Sequence, residues 1–284
     1  MHLVLSRVEP KDLDAIVPMM FQSFHNIDLA NVFFGRDSPA SYAYAKTQML
    51  EGIQEDPADV SLKIEDLDAE VDVKILDERG NPVGTERRKR IVCSSNWKVY
   101  PTYVTPKEED EKQQRHRQRR PTENSQTGSG DDHDHDVVVI PATETIKPKA
   151  AVQEPSFAYL KTEQERLDAA ILMRDFLGRR RRECREGHVL CFLLFTDPAY
   201  QGKGCGRMMM QWGNDVADAL MLPCWIEASP AGELLYLQMG YEGRERVRIQ
   251  TESFLGEYLH MRRPTMVERV RLDGRRLVRE PVKE

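Results

Sequence analysis

The sequence has neither paired cysteines nor a secretory signal. Its five cysteines are scattered and form no CxxC pair, which indicates reduced thiols in a cytosolic or nuclear protein and not a disulfide framework. Residues 1–9 contain no basic segment followed by an apolar run, so we expect no secretory signal. These absences predict a cytoplasmic protein, with a nuclear location as the alternative.

The chain also lacks a bilayer-spanning segment and an excess of positive charge. Its longest weakly charged stretch, residues 15–35, contains Pro18 and Asp28 and is too polar to cross a bilayer. The formal net charge is -6, whereas a general nucleic-acid binder is basic overall. We therefore expect a soluble protein that binds neither membranes nor nucleic acid.

Two phosphate-binding motifs are absent as well. A Walker loop requires a serine or threonine directly after its Gly-Lys pair, whereas Lys203 is followed by Gly204 and Cys205. A dinucleotide fingerprint requires a third glycine where Met209 stands, and no repeated strand–helix–strand pattern supports a Rossmann sheet. The sequence thereby excludes both motifs.

Hydrophobic residues make up 40% of the chain, enough to build a core, and their spacing changes between the periods of strand and helix. In the first half, this spacing predicts a strand at 3–8, helices from Pro10 and over 39–53, and a hairpin of strands at 71–77 and 90–100 with a turn at 80–82.

The composition changes after the hairpin. Residues 104–149 hold ten acidic and eight basic side chains, so they bury too little apolar surface to offset the entropy of ordering. We predict a charged, disordered insertion at 104–150. Within its acidic tract, His133 and His135 are spaced for adventitious metal binding only, and we predict no dedicated metal site.

Regular patterns return in the second half of the chain. Residues 188–196 are nearly all apolar, which is typical of a central strand covered on both faces. The other predicted elements are helices at 162–178, after the glycine-rich segment and at 230–239, and strands at 224–228, 244–250 and 257–261. We divide the chain into two parts of one domain, 1–103 and 151–263, separated by the insertion at 104–150 and followed by a basic C-terminal tail at 264–284.

The segment Gln201-Gly202-Lys203-Gly204-Cys205-Gly206 joins the central strand to the next helix. Its three glycines let the backbone approach a ligand, and the helix start adds unpaired N–H groups and the positive end of a dipole. Phosphates and other anions suit such a place. The alternative is a tight strand-to-helix turn that binds no ligand.

This segment resembles the signature of the GNAT superfamily of N-acetyltransferases, Gln/Arg-x-x-Gly-x-Gly/Ala, and matches it in full. Residues 196–200 resemble the usual lead-in to that signature. Residues 225–232 resemble a phrase common in fungal members, and residues 235–241 resemble the family's Leu-Tyr-x-x-x-Gly-Phe. The resemblance is close over 188–242 and extends to 1–100 by strand order only.

The resemblance implies an α+β fold with a mixed, mostly antiparallel central sheet of about six or seven strands flanked by helices. It also implies acetyl-CoA as co-substrate, without a metal. The backbone of Leu194, Phe195 and Thr196 would pair with the pantetheine arm. The pyrophosphate would be held by the N–H groups of Gln201, Gly202, Lys203, Gly204, Cys205 and Gly206. Lys203 and Arg207 would add positive charge at the pyrophosphate; the alternative is that both are solvated surface cations. The arginines at 179–182 would meet the 3′-phosphate; the alternatives are a solvated loop and a nuclear-import patch.

In this chemistry an amine attacks the thioester directly, so the enzyme supplies a proton acceptor for the amine and a proton donor for the leaving thiolate. Tyr236 matches the family's proton-donating tyrosine; the alternative is a packed helix tyrosine. Glu227 is our candidate base or amine anchor, and a core glutamate paired with an arginine is the alternative. Ser229 is a weaker candidate, because it also suits a helix cap.

The acceptor is less well defined by the sequence. Trp97, Tyr100, Phe24, His25 and Phe34 are candidates for lining its pocket, although core packing is the favoured role of each. We expect an N-acetyltransferase that acts on a small-molecule amine. The alternatives are a non-catalytic module that senses acyl-CoA or binds a partner, and a protein or histone acetyltransferase, for which the sequence defines no peptide groove.

Overall fold

The computed structural model describes residues 1–102 and 157–277. Their centre is one seven-stranded sheet with strand order β1-β2-β3-β4-β5-β7-β6. The strands are β1 (Leu3–Arg7), β2 (Asp59–Leu76), β3 (Pro82–Tyr100), β4 (His188–Thr196), β5 (Cys224–Ala228), β6 (Glu242–Gln250) and β7 (Leu255–Arg263). The predicted α+β fold with a mixed, mostly antiparallel sheet is confirmed.

The described helices lie on the two faces of this sheet. They are α1 (Leu13–Ser23), α2 (Asp28–Phe34), α3 (Pro39–Glu55), α4 (Glu163–Glu183), α5 (Cys205–Ala219), α6 (Glu233–Gln238) and α7 (Met266–Leu277). In this part of the chain, no helix is both long enough and apolar enough to cross a bilayer.

The pairing of β4 with β5 is parallel, whereas the other described strand pairs are antiparallel. This parallel pairing covers three positions, from Val189 opposite Cys224 to Cys191 opposite Ile226. Beyond Cys191 the two strands separate, while β4 continues to pair with β3 on its other edge. The sheet therefore opens a gap between the second half of β4 and the end of β5.

The apolar run of β4 is buried on both faces because helices cover both sides of the sheet. On one side, α5 packs so closely that a Cβ added at Gly213 would lie only 2.1 Å from an atom of the Trp97 ring. On the other side, α1 and α3 pack against Phe195 and Ile91. β4 therefore lies between two layers of helices at the centre of the sheet.

Several elements differ from those predicted. The strands β2 and β3 are longer than expected, and α2 and α7 were not predicted at all. Helix α4 continues through the arginines at 179–182, because arginine is a good helix former and basic side chains favour the C-terminal end of the helix dipole. The predicted insertion at 104–150 lies outside the described residues.

Candidate active site

The glycine-rich segment forms a loop between β4 and α5. Gly202 has φ 73° and Gly204 has φ 88°, which is the left-handed region where a side chain is strained. A Cβ added at either glycine would meet nothing within 4 Å. The backbone at these two positions therefore faces open space that a ligand can occupy.

The N–H groups of this loop are largely unused by the protein. Within the described residues, the Lys203 N–H donates to the Tyr200 carbonyl over 3.3 Å. Helix α5 begins at Cys205, and its N-cap, Gly204, offers no side-chain cap. Free N–H groups at a helix start are what an anion such as a phosphate binds, so the loop fits a pyrophosphate.

Hydrogen bonds of Asp197, Tyr200 and Gln201 hold the loop in place. The Tyr200 hydroxyl donates to buried Asp66 over 2.9 Å, and Arg90 donates to Asp197 over 2.8 and 3.2 Å. The Gln201 side chain donates to the Thr196 carbonyl over 3.4 Å. These contacts position the loop at the end of β4.

Predicted cofactor contacts lie next to the gap in the sheet. Leu194, Phe195 and Thr196 pair with β3 on one edge and lie beyond the pairing with β5 on the other. Their backbone on the β5 side therefore has no strand partner in the described sheet. An extended chain that enters the gap can pair with this edge, as a further strand would.

A cavity at this gap brings several predicted residues together. Leu194, Glu227, Ser229 and Tyr236 all line it. Its remaining walls are mainly apolar and come from the segment between α1 and α2 and from α2, α4, β4, β5 and β7. Three separate motifs of the sequence thus meet at one place.

Tyr236 on α6 is 6% exposed. Its ring packs over Gly232, where a Cβ would approach to within 2.7 Å of a ring carbon. Burial, with a smaller effect of the nearby Cys191 and Cys93 thiols, raises the pKa of its hydroxyl well above the ordinary value. Tyr236 is therefore a neutral phenol that holds its proton at physiological pH.

Glu227 is held in a buried ion pair. Its two carboxylate oxygens accept from Arg180, each over 2.8 Å, and His260 Nε2 lies 3.2 Å from one of them. Burial disfavours the charged carboxylate, but Arg180 and His260 outweigh it and lower the pKa of Glu227 to about 2. A carboxylate with so low a pKa accepts a proton poorly at neutral pH. The structure thus shows the arginine-paired glutamate that the sequence left open.

The other candidate residues divide between the cavity and the core. Phe24 and Phe34 line the cavity, and His25 lines a neighbouring pocket together with both of them. Trp97 is fully buried under α5, and the Tyr100 ring packs 5.1 Å from His188. Trp97 and Tyr100 thus have packing contacts, and neither lines the cavity.

The arginine run at 179–182 ends α4, which leads into the start of β4, whereas the glycine loop follows the end of that strand. Arg179 pairs with Asp175 and Glu245, and Arg180 pairs with Glu227. The contact of this run with the 3′-phosphate stays a prediction.

Sequence reasoning missed Arg180 as a partner of Glu227, and it missed His260 and Tyr258 on β7. Tyr258 lines the cavity. The available signal was the period of two in β7, which places Tyr258 and His260 on the same face of the sheet. No comparable local signal marked Arg180, because it lies 47 residues from Glu227.

Comparisons with known proteins support this architecture. No family model matches the chain. It is 32% identical to an uncharacterized N-acetyltransferase of Schizosaccharomyces pombe over 57 residues, which are 20% of this chain and 24% of that protein. It is 35% identical to a probable acyltransferase of Ajellomyces capsulatus over 40 residues, 14% of this chain and 29% of that protein. The matches thus span less than a third of the length of these curated relatives.

The described structure is similar to the crystal structure of arylalkylamine N-acetyltransferase 2 from Aedes aegypti, with a TM-score of 0.50 and 11% identity. The match covers 92% of this chain and 98% of that chain. The chain has the GNAT fold. The resemblance to GNAT N-acetyltransferases, fungal members included, is therefore confirmed.

Proposed function

We propose that this GNAT-fold protein binds acetyl-CoA and transfers the acetyl group to an amine by direct attack in a ternary complex. The observation that carries the proposal is the open loop from Gln201 to Gly206, whose free N–H groups lie at the end of β4 beside the gap in the sheet. Glu227, Ser229 and Tyr236 line the cavity at the same gap. An anion site and candidate catalytic groups thus adjoin one another.

The chain's own groups suit the binding of this co-substrate. The loop N–H groups and the start of α5 would bind the pyrophosphate. The free edge of β4 at Leu194, Phe195 and Thr196 would pair with the amide groups of the pantetheine arm. When bound, acetyl-CoA supplies a thioester, whose acetyl group is attacked by the acceptor amine.

Tyr236 and Glu227 of the cavity would then have different roles. Tyr236, whose raised pKa keeps its hydroxyl protonated before transfer, would give its proton to the thiolate as the C–S bond breaks, and water would return to it the proton that the amine releases. Glu227 would act through Arg180 as a fixed part of the cavity wall, since its low pKa makes it a poor proton acceptor. The amine would lose its proton to water on the solvent side of the cavity.

The decisive experiment compares acetyl-CoA binding in wild type, Gly204→Asp and Gly84→Asp. Aspartate at 204 places a carboxylate in the open space over the loop, where it would repel the pyrophosphate. Gly84 lies on the β2–β3 hairpin, also with nothing within 4 Å of an added Cβ, and serves as the control. We expect acetyl-CoA to raise the melting temperature of wild type and Gly84→Asp but not of Gly204→Asp. A wild type that shows no shift at saturating acetyl-CoA would contradict the proposal.

Release of free thiol from acetyl-CoA over a panel of amines tests the transfer itself. Turnover of at least one amine, lost in Gly204→Asp, is the expected result. Binding of acetyl-CoA without turnover of any amine would instead indicate a non-catalytic module that senses acyl-CoA.

A further inference from the structure

The aromatic part of the cavity lies where the end of a pantetheine arm would point. An arm that pairs with β4 from Thr196 back to Leu194 directs its thioester toward the preceding residues of the strand, Leu193 and Phe192. Both line the cavity, and both are partly exposed, although the strand is buried from His188 to Cys191. The centre of the sheet is therefore open to the cavity at the position that an acyl group would reach.

The walls beyond these two residues are apolar and largely aromatic. Phe33 on α2 packs edge to face on Phe176 and on Phe192, with 5.0 and 6.3 Å between the ring centroids, and Ala30 of the same helix also lines the cavity. The cavity has a volume of about 100 Å³. A cavity of about 150 Å³ with similar walls binds benzene, so in proportion this one takes about four carbons.

The charges of the lining do not call for a cation in the aromatic part. Arg180 and Glu227 form an ion pair with each other. The remaining charged residue of the lining is Glu257, which follows Tyr258 in the alternation along β7 and so projects from the other face of the sheet, the face that packs around Tyr236. An ammonium group therefore suits the Tyr236 side of the gap, and an apolar chain suits the aromatic side.

We propose that the aromatic part of the cavity binds the acyl chain of the donor, and that the protein prefers an acyl-CoA with an apolar chain of about four carbons over acetyl-CoA. The inference rests on the proposed function, since the loop must first bind CoA, and it changes only the acyl group. The transfer itself is the same: the amine nitrogen bonds to the carbonyl carbon, the C–S bond breaks, and the thiolate takes up a proton as the amine releases one.

Dissociation constants measured by calorimetry on the full chain test this preference, first for CoA and then for acetyl-CoA, butyryl-CoA and octanoyl-CoA. Each CH₂ group that enters an apolar site raises affinity about fourfold. We therefore expect wild type to bind butyryl-CoA about tenfold more tightly than acetyl-CoA. Octanoyl-CoA, whose chain exceeds the cavity, should bind no more tightly than butyryl-CoA.

Ala30→Leu and Ala40→Leu locate the chain within the molecule. Leucine at 30 places an isopropyl group in the cavity, whereas Ala40 is exposed on α3 and does not line the cavity. We expect Ala30→Leu to lose the preference for butyryl-CoA while it binds CoA, which has no acyl chain, as wild type does. Ala40→Leu should keep the preference.

Three outcomes would overturn the inference and leave the proposed function standing: equal affinities of wild type for acetyl-CoA and butyryl-CoA, a further gain with octanoyl-CoA, and a preference that survives in Ala30→Leu. Because CoA alone is measured first, failure of the proposed function is seen separately, as a wild type that does not bind CoA, and this result would overturn both.

Discussion

At the scale of single residues, the ion pair of Glu227 with Arg180 decides which roles the carboxylate can fill. A general base works best with a pKa near the working pH, whereas the pKa of Glu227 lies at about 2. The same geometry suits a structural role: two hydrogen bonds of 2.8 Å fix the guanidinium beside the cavity, where it also lies over the Phe176 and Phe192 rings. Glu227 therefore shapes the wall of the cavity through Arg180.

The replacement Glu227→Gln tests this role through stability. Removing one partner of a buried ion pair leaves the other charge uncompensated, and we expect a loss of about 3 kcal/mol. Because folding lowers the pKa of Glu227 from 4.5 to about 2, the stabilisation is fully present above pH 4.5 and is lost as the pH falls toward 2. Urea unfolding from pH 7 to pH 3 measures the difference in the free energy of unfolding between wild type and Glu227→Gln. This difference should be constant down to pH 5 and shrink at lower pH. A difference that grew on acidification would contradict this role.

The replacement Tyr236→Phe tests the proposed proton donor. Loss of a general acid lowers kcat by about a hundredfold, whereas acetyl-CoA affinity should stay within about threefold, because the ring and its contact with Gly232 remain. Steady-state kinetics on an acceptor found in the amine screen gives both values. Tyr241→Phe is the control, since that hydroxyl already donates to the Cys224 thiol in the core. Equal kcat in Tyr236→Phe and wild type would assign Tyr236 to packing alone.

At the scale of elements, the contact of α5 with β3 positions the start of α5 and hence the glycine loop. Gly213 on α5 faces the Trp97 ring, and an added Cβ would lie 2.1 Å from it. Gly178 on α4 is also helical, but a Cβ there would meet nothing within 4 Å. The two glycines thus form a matched pair in which only one substitution meets a packed ring.

We expect Gly213→Ala to destabilise the protein by about 1–3 kcal/mol through overpacking, and to weaken acetyl-CoA binding because α5 shifts with the loop. We expect Gly178→Ala to stabilise the protein by up to about 1 kcal/mol, since alanine is the better helix former. Chemical unfolding and acetyl-CoA titration of both variants check these values. Equal stability of the two variants would show that α5 can move away from Trp97 at little cost.

The elements that the sequence predicted well are those with strong local patterns. The apolar run of β4 and the spaced Met208, Trp212 and Val216 of α5 mark those elements without any knowledge of their neighbours. The first residues of β3, Pro82 to Lys89, are half charged and mostly exposed, so they lack the alternation that marks a strand. Their strand conformation comes from pairing with β2, which no local pattern of β3 shows.

The candidate site shows the same division. The loop from Gln201 to Gly206 and Tyr236 follow from contiguous phrases of the sequence. The contacts of Arg180 with Glu227, and of Tyr258 with the cavity, join elements that are distant along the chain. Such contacts depend on the register of β5 against β7 and on the packing of α4, which tertiary structure alone determines.

At the scale of the whole molecule, the two parts predicted at 1–103 and 151–263 share a single sheet. β3 from the first part pairs with β4 from the second over eight residue pairs. One core cluster also combines both parts, with Ile64 and Val92 packed among Met209 and Ile226. The described residues of both parts accordingly form one compact unit.

This shared core predicts one cooperative unfolding transition for both parts. Trp97 fluorescence, measured in a variant with Trp212 and Trp225 replaced by phenylalanine, reports on the first part, and far-UV circular dichroism reports on the whole chain. We expect the two urea curves to coincide and to move together when acetyl-CoA is added, because a ligand that binds only the folded state stabilises everything that unfolds with its site. At a hundredfold excess over its dissociation constant, that stabilisation is about 2.7 kcal/mol. Curves that separate, with acetyl-CoA moving only the circular dichroism, would show that residues 1–103 unfold independently of the loop, even though their last strand is paired with β4.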